Sequence, residues 1–269
     1  MTHRIIYYYQ TFTGLDNIIR LKQCPVTHIH VASIHFGMNQ YKPYIHLNNY
    51  PPDSSIFNHV WNETKLLSER GVSIRLMVGG AGRAFNVLFS NFTEYYSLLK
   101  DTINKRPWIS GIDLDVEEGV DIYNIVMLVN RIRADFGEEF AISFAPIGYA
   151  LEVDITGLGG FCYKELDKLI GDKIEYYNGQ FYANFTTDSY SQAICNGYNP
   201  SKVVLGMVTG QFDSTNFNKC LDTIIELCNK YKNFGGVFIW EYKDAPPSRN
   251  PADWAILINA VMKNKYNIH

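Results

Sequence analysis

The feature that most constrains the fold is a regular alternation of short apolar runs with segments of helical periodicity. Eight runs rich in Val, Ile, Leu, Phe and Tyr have the composition of strands, and each precedes a helix or a short helical segment. The predicted strands are 4–9, 27–36, 72–78, 109–117, 140–145, 173–183, 202–208 and 235–241. The predicted helices are 16–23, 55–70, 92–104, 122–136, 164–170, 189–196, 215–231 and 252–263. Eight such units in about 250 residues predict a single α/β domain with a (β/α)8 TIM barrel fold. A doubly wound open sheet would show the same alternation, but no dinucleotide-type glycine fingerprint follows any strand.

Composition limits the possible classes of function. The 269 residues are 46% hydrophobic and contain no Gly-, Ser- or Pro-rich linker, so we expect one domain over residues 1–269. The net charge of −3 and the lack of a basic run argue against a nucleic-acid partner, and no apolar run is long enough to span a membrane.

The five cysteines are scattered without zinc spacing, and we expect no metal and no other cofactor. The N-terminus has the pattern of a strand, which predicts an intracellular protein unless a leader has been removed, and we expect a monomer.

The most unusual stretch is the acidic strand at 109–117, where Asp113, Asp115 and Glu117 are separated by single apolar residues. A strand sends alternate side chains to opposite faces, so the three acids would share one face, with neighbours roughly 6–7 Å apart. Burying them together is costly, because each charge raises the pKa of the next and desolvation raises it further. Three interpretations are open: a solvated edge strand, a divalent-metal site, and a proton-transfer site in which the two aspartates raise the pKa of Glu117.

The barrel fold supplies a test, because active sites in this architecture lie at the C-terminal ends of the strands. Polar and aromatic residues concentrate at those ends: Gly79, Gly80, Asp115, Glu117, Gln180, Tyr182, Trp240 and Glu241. The acids therefore lie where chemistry is expected. The residues near the acids can also be explained without a function. The two glycines would then form a turn, and Tyr182 and Trp240 would pack in the core. We interpret Glu118 as a surface acid.

Four segments match a known pattern in the same order along the chain. They are Gly79-Gly80, Gly-Ile-Asp-Leu-Asp-Val-Glu at 111–117, Gln-Phe-Tyr-Ala-Asn at 180–184, and Gly-Gly-Val-Phe-Ile-Trp at 235–240. The acidic segment resembles the DxxDxDxE signature of glycoside hydrolase family 18, the chitinase family, and the two glycines resemble the end of its SxGG element. The third segment is similar to the sixth strand of the class III, hevamine-like chitinases. The fourth is similar to the strand that carries the family's subsite tryptophan. Because the strand–helix pattern covers the whole chain, the resemblance does too.

The resemblance implies a retaining hydrolase that cleaves β-1,4-linked N-acetylglucosamine polymers such as chitin without an enzyme nucleophile. It implies that Glu117 first acts as general acid and then as general base. The substrate's own 2-acetamido carbonyl would attack the anomeric carbon and form an oxazolinium ion. Asp115 would orient the acetamido group, Tyr182 would hydrogen-bond its carbonyl oxygen, and Asp113 would modulate Asp115.

The resemblance also implies a set of substrate-binding residues and a partner, an N-acetylglucosamine-containing oligo- or polysaccharide. Trp240 would form the floor of the −1 subsite, and the peptide bond that joins it to Glu241 would be cis. The residues that we expect to bind substrate are Trp240, Gln180, Gly79, Gly80 and Tyr7.

Two positions depart from the family pattern. The first acid of the signature is Ser110, and the serine of SxGG is Met77. Since both family groups support the inner aspartate, we expect Asp113 to have lost partners and to tend towards protonation. Ser110 can still donate one hydrogen bond, and a tyrosine of the first strand, Tyr7 or Tyr9 by alternation, could compensate.

Three alternative functions remain open at this point. A chitinase-like lectin would bind sugar without cleaving it, although such relatives usually lack the glutamate that this chain retains as Glu117. An endo-β-N-acetylglucosaminidase acting on N-glycans would use the same acetamido mechanism. A metal-dependent hydrolase would use the acid cluster as ligands, although no His or Lys accompanies the acids locally.

Overall fold

Eight parallel strands close into a barrel in the computed structural model, which describes residues 3–263. The strands of the described chain are β1 (Arg4–Tyr9), β2 (His28–Asn39), β3 (Lys42–Leu47), β4 (Ser73–Gly79), β5 (Ile109–Asp115), β6 (Ala141–Phe144), β7 (Tyr176–Gln180), β8 (Val203–Val208) and β9 (Gly236–Trp240). β1 pairs in parallel with both β2 and β9, so the sheet closes on itself. β3 lies outside the barrel and pairs antiparallel with β2. The fold is therefore the predicted single (β/α)8 barrel.

Helices follow the strands and share an apolar core with them. In the described chain they are α1 (Asp16–Ile19), α2 (Asn58–Glu69), α3 (Ala84–Ser90), α4 (Phe92–Asn104), α5 (Ile122–Phe136), α6 (Tyr149–Glu152), α7 (Tyr163–Ile170), α8 (Thr187–Cys195), α9 (Phe217–Lys230) and α10 (Ala252–Lys263). α4, α5 and α10 have the predicted bounds. The short helices α3 and α6 were not predicted, because each is shorter than the window of about 11–18 residues over which apolar periodicity identifies a helix.

The core has an outer and an inner part, and this division corrects one prediction. The inner cluster consists of Ile6, Tyr8, Ala32, Met77, Tyr176, Val204 and Phe238. Tyr7 and Tyr9 belong instead to the outer cluster, between strands and helices. The Tyr7 hydroxyl donates to the Pro251 carbonyl at 2.5 Å and accepts from the Ala255 N–H at 3.2 Å. The prediction that Tyr7 binds substrate is therefore wrong, because the even-numbered residues of β1 face the barrel interior.

A charged cluster fills the N-terminal end of the barrel. The guanidinium groups of Arg4 and Arg75 lie 4.2 and 4.5 Å from the centroid of the Tyr176 ring. Both donate to Glu175, at 3.3 and 2.5 Å. Arg75 is only 2% exposed, so its charge depends on this carboxylate and on the ring. These contacts close the N-terminal end of the barrel. Asp115, the last residue of β5, lies at the opposite end.

β2 continues past the barrel and forms a hairpin with β3 beside the upper end. The pairing runs from Ile34–Leu47 to Asn39–Lys42. We predicted a strand that ended at 36 and no further strand before the helix at 55–70. β3 is an edge strand, where a proline is tolerated because its missing N–H leaves no ladder bond unmade.

Several local features bear on the sequence-based expectations. The Trp240–Glu241 peptide is cis, as the resemblance implied, and the Ala32–Ser33 peptide is cis as well. The structure shows free thiols at Cys24, Cys162, Cys195 and Cys220. Within residues 3–263, no helix combines the length and the apolar character that crossing a bilayer requires.

Candidate active site

A pocket of about 320 Å³ opens at the C-terminal ends of the barrel strands. Its lining includes seven residues that the sequence pointed to: Gly79, Gly80, Asp115, Glu117, Gln180, Tyr182 and Trp240. Gln10, Ser33, Ala81 and Val208 complete the lining and were not predicted. Glu117 lies two residues beyond Asp115, the last residue of β5, rather than within the strand as predicted. The structure thus brings together the predicted residues, with the exception of Tyr7 and of Asp113, which lies beneath the pocket.

The two glycines at the end of β4 hold the end of β5 in place. The Gly80 N–H donates to the Asp115 carbonyl oxygen at 2.8 Å. Gly79 and Gly80 have φ values of +101° and +76°, and a Cβ atom on Gly79 would lie 2.1 Å from the same carbonyl oxygen. Only glycine permits this approach, so the pair fixes the backbone from which the Asp115 carboxylate projects.

Asp113 lies at the centre of a buried hydrogen-bond network. Its Oδ2 accepts from the Tyr8 hydroxyl at 2.6 Å. Its Oδ1 accepts from the Ser143 hydroxyl at 2.6 Å and from the Asn178 amide at 3.0 Å. The Asn178 amide also donates to the Tyr8 hydroxyl oxygen at 3.0 Å. Four residues from four different strands therefore assemble this network, and all of them are buried.

The charge state of Asp113 follows from these partners. Burial acts to raise the pKa of Asp113, but His30, Ser143 and Tyr8 act in the opposite direction and hold it below its usual range. His30 Nδ1 is 3.4 Å from Asp113 Oδ2, and burial lowers the pKa of His30, so we treat this imidazole as neutral near pH 7. We therefore attribute the ionised state of Asp113 mainly to the hydroxyl and amide donors.

This network overturns the expectation that Asp113 lacks support and tends towards protonation. Ser110 does not supply the support, because it is exposed on the outer face of β5, where its hydroxyl is 2.8 Å from that of Ser73. Met77 packs inside the barrel without a polar contact of its own. Ser143, the direct cross-strand partner of Asp113, provides the hydroxyl that the family pattern places elsewhere.

Asp115 and Glu117 form an acid pair with raised pKa values. Burial raises the pKa of Asp115 well above its usual range, and the charges of Glu117 and Asp113 raise it further. Burial also raises the pKa of Glu117, and Glu118 adds to the effect. Gln180 opposes both shifts, and its amide donates to Asp115 Oδ1 at 3.1 Å. The pair consequently retains a proton at a higher pH than two isolated carboxyl groups would.

Glu118 is not the surface acid that we predicted. Its Oε1 accepts from the backbone N–H groups of Phe85 and Asn86, at 2.6 and 3.3 Å. These N–H groups belong to the first turn of α3, where helical donors lack partners and a carboxylate is favoured. Glu118 therefore links the segment that follows Glu117 to the first turn of α3.

The aromatic residues of the pocket also pack on the barrel interior. Trp240 and Tyr182 are both partly buried against the inner cluster. The Trp240 ring lies 5.2 Å from the Tyr8 ring, and the Tyr182 ring lies 6.2 Å from that of Phe238 in an edge arrangement. Each of these two side chains therefore packs on the core and also lines the pocket.

The carboxylate of Glu241, the residue after Trp240, forms hydrogen bonds outside the pocket. Its carboxylate accepts from the N–H groups of Gln10 and Thr11 at 3.1 Å each, and from the Thr11 hydroxyl at 2.5 Å. It joins the ends of β9 and β1 and does not line the pocket. No group of three or more His, Cys, Asp or Glu within residues 3–263 has the spacing to hold a metal ion.

Two grooves extend the pocket in opposite directions along the mouth. One has a volume of about 500 Å³ and shares Gln10, Ser33 and Ala81 with the pocket. The other has a volume of about 430 Å³ and shares Gln180 and Tyr182 with it. The pocket is thus the middle of a longer cleft, as a site for an extended ligand requires.

The whole chain is similar to solved structures. A fungal endo-β-N-acetylglucosaminidase from glycosyl hydrolase family 18 is 35% identical, with a TM-score of 0.84, and the match covers 96% of this chain and 97% of that one. A chitinase from Aspergillus fumigatus is 31% identical, with a TM-score of 0.82 over 97% of this chain and 99% of that one. The chain belongs to glycoside hydrolase family 18. Like those relatives, this family 18 member is a glycosidase.

A more distantly related solved structure has the same fold. A chitinase-like agglutinin from Robinia pseudoacacia is 15% identical, with a TM-score of 0.63 over 96% of this chain and 99% of that one, and shares the fold. No family model matches the sequence, and no curated protein matches it. The assignment to family 18 therefore rests on the fungal endo-β-N-acetylglucosaminidase and the Aspergillus fumigatus chitinase, and it agrees with the motifs.

The sequence analysis did not identify three partners of Asp113, although strand alternation carried a signal for two of them. Asn178 lies two positions before Gln180 in β7, so strand alternation places both on the same face. Tyr8 follows from the same rule once the inward face of β1 is known. Ser143 lies in a four-residue strand, which is too short to reveal its inward face by pattern alone.

Proposed function

We propose that this family 18 glycosidase cleaves β-1,4-linked N-acetylglucosamine chains by substrate-assisted catalysis with retention of configuration. One observation carries the proposal. In the part of the chain that the structure describes, Asp115 and Glu117 are the only carboxylates that line the pocket, and both project from the end of one strand. Because both acids come from the end of one strand, we assign them to the same side of the glycosidic bond, with Glu117 as the acid and neither placed opposite the leaving group as a nucleophile. A substrate with a 2-acetamido group carries its own nucleophile, which makes a second enzyme carboxylate unnecessary.

Glu117 transfers the protons in the proposed reaction. Its raised pKa favours the protonated form that a general acid needs. It donates that proton to the glycosidic oxygen as the bond to the anomeric carbon breaks, while the acetamido carbonyl oxygen bonds to the same carbon. The resulting carboxylate then takes a proton from water, and the water oxygen opens the oxazolinium ring to give the β-anomer.

Asp115, Asp113 and Tyr182 stabilise the charges that develop in this sequence. Asp115 accepts from the acetamido N–H, and its negative charge balances the oxazolinium ion. Burial and the charge of Glu117 raise the pKa of Asp115, and the ionised Asp113 beneath it adds to this shift. Tyr182 retains its phenolic proton, because burial raises its pKa well above the usual range, and it can donate to the acetamido oxygen. Trp240 offers its indole face to the apolar face of the sugar ring.

An endo-β-N-acetylglucosaminidase is the second candidate, and a specific observation favours it. The relative with 35% identity over nearly the whole of both chains is described as such an enzyme. Its reaction would use the same residues in the same roles. The two candidates differ only in what lies in the grooves: more N-acetylglucosamine in a chitin chain, or the glycan and peptide on either side of an N-linked core. We propose that the monomer is active, since the residues of one chain suffice to form the pocket.

The proposal is tested with Glu117→Gln and with Glu118→Gln as a matched control. Each protein is incubated with chitohexaose and, separately, with a glycopeptide that carries an N-linked glycan, and the product anomers are followed by NMR. We expect Glu117→Gln to lose at least 10²–10⁴-fold in rate on the true substrate. Glu118→Gln should retain activity, because an amide oxygen can still accept from the Phe85 N–H.

The outcomes separate the candidates. β-Configured product from chitohexaose supports the chitinase, and release of the glycan from the glycopeptide supports the endoglycosidase. Binding of either compound without cleavage at any pH would support a lectin. A folded Glu117→Gln protein with near-complete activity would refute the assigned acid.

A further inference from the structure

The larger of the two flanking grooves is bordered by an ordered face of aromatic rings on the β2–β3 hairpin. His35 and His46 are direct cross-strand partners, and their rings stack with centroids 5.7 Å apart and planes 20° apart. Tyr44 lies next along β3, with its ring 5.4 Å from that of His46 and tilted by 31°. We name these three side chains, Tyr44, His46 and His35, the ring platform.

The opposite face of the hairpin is covered by the protein, which leaves the ring platform as the open face. Phe36 and Ile45 point away from the platform and are buried. The Phe36 ring lies 5.7 Å from that of Tyr95 on α4, and the Tyr95 hydroxyl donates to the Gly37 carbonyl at 3.1 Å. Tyr44, by contrast, is 38% exposed. The hairpin is therefore anchored on one side and presents rings on the other.

Two glycines and several polar contacts fix the orientation of the platform rings. A Cβ atom on Gly37 would lie 2.7 Å from the Tyr44 ring, so this ring lies flat over the glycine opposite it. His35 Nε2 is 3.0 Å from the Ala81 carbonyl, and a Cβ on Gly82 would lie 2.8 Å from the His35 ring. His46 Nδ1 is hydrogen-bonded to the Asn48 carbonyl. Rings held in this way need little further ordering when a ligand stacks on them.

The platform is continuous with the catalytic pocket. His35 and His46 line the groove of about 500 Å³ that shares Gln10, Ser33 and Ala81 with the pocket. Polar side chains at Thr11, Asn48 and Asn49 border the same groove. Burial lowers the pKa of His35, so its ring is uncharged near pH 7. Aromatic rings beside amide and hydroxyl groups match a pyranose, which has apolar faces and a rim of hydroxyls.

We propose that the ring platform binds sugar residues of the same saccharide chain whose scissile linkage lies in the catalytic pocket. The inference rests on the proposed function and adds to it a preference for substrates long enough to reach the hairpin. The Tyr44 ring would contribute to the binding of long substrates and make no contact with short ones.

The test compares two substrates in each variant, chitohexaose and a chromogenic diacetylchitobioside. We expect Tyr44→Ala to lower the ratio of kcat/KM for the long substrate to that for the short one by about three- to tenfold, mainly through KM. Gly37→Ala should lower the ratio similarly, because its methyl group displaces the ring without deleting it. Tyr44→Phe keeps the ring and should restore most of the ratio. Tyr41→Ala is the control, since Tyr41 is 96% exposed at the hairpin tip and is not part of the platform.

A binding measurement separates failure of this inference from failure of the proposed function. Chitohexaose is titrated by calorimetry into Glu117→Gln and into Glu117→Gln/Tyr44→Ala, with thermal unfolding as a check that both are folded. Weaker binding to the double variant supports the platform even if the wild type cleaves neither substrate. An unchanged substrate ratio in Tyr44→Ala, equal binding by the two proteins, or no binding of chitohexaose to Glu117→Gln would overturn it.

Discussion

The hydrogen bond from Ser143 to Asp113 allows a quantitative test of how this protein maintains a buried carboxylate. Both residues are fully buried, and the Ser143 hydroxyl lies 2.6 Å from Asp113 Oδ1. In Ser143→Ala the Oδ1 atom keeps only the Asn178 amide. A hydrogen bond to a charged group contributes about 1.5–3 kcal/mol, so we expect the free energy of unfolding at pH 7 to fall by about that amount.

The loss should depend on pH with a definite sign. The folded-state pKa of Asp113 lies below its usual value, so the stability due to its ionised form is present above about pH 4 and is lost as the pH falls through the folded-state pKa. As the pH falls through the folded-state pKa, the difference between wild type and Ser143→Ala should shrink towards the roughly 0.5–1.5 kcal/mol of a neutral hydrogen bond.

Urea denaturation at pH 7 and at pH 3 measures both values, provided that the m-values of the proteins agree. Ser110→Ala is the matched control. Ser110 occupies the signature position but is exposed and bonded to Ser73, so its removal should cost less than about 0.5 kcal/mol. An equal loss at both pH values would refute the electrostatic argument. A loss in Ser110→Ala as large as that in Ser143→Ala would refute the assignment of the supporting serine.

Two further predictions follow from the same geometry. Tyr8→Phe removes a donor to Asp113 and should lower kcat roughly ten- to a hundredfold, whereas Tyr7→Phe should reduce only stability, by about 1 kcal/mol. Steady-state kinetics and urea denaturation of the two variants check this, and equal kinetic effects would contradict the assigned faces of β1. Gln180→Ala removes a hydrogen bond that lowers the pKa values of the acid pair, so the alkaline limb of kcat/KM should move to higher pH. A limb that stays in place or moves to lower pH in a full pH–rate profile would show that Gln180 does not set these pKa values.

Much of the fold and most of the pocket could be predicted because their signals are local. Alternation of apolar runs and helical periods predicts the barrel, since a parallel strand must be followed by a crossover helix. The barrel in turn places strand ends at one mouth, which is why Asp115, Gln180 and Trp240 were predicted to lie together. The β2–β3 hairpin was missed because β3 contains Pro43. Proline weakens the sequence pattern of a strand, although an edge strand such as β3 tolerates it.

The sequence by itself determined the barrel, the acid pair and the order of the strand ends, because these depend on spacing along the chain. The support of Asp113 was decided only by the tertiary structure. Alternation divides β1 into two faces but does not say which one is inside, and closure of the barrel turned Tyr8 inwards and Tyr7 outwards. Ser143 reaches Asp113 from the neighbouring strand β6, whereas Tyr8 and Asn178 come from β1 and β7 and meet it inside the closed barrel. A buried carboxylate obtains its charge state from its neighbours in space, and these are set by packing rather than by the motif in which the acid stands.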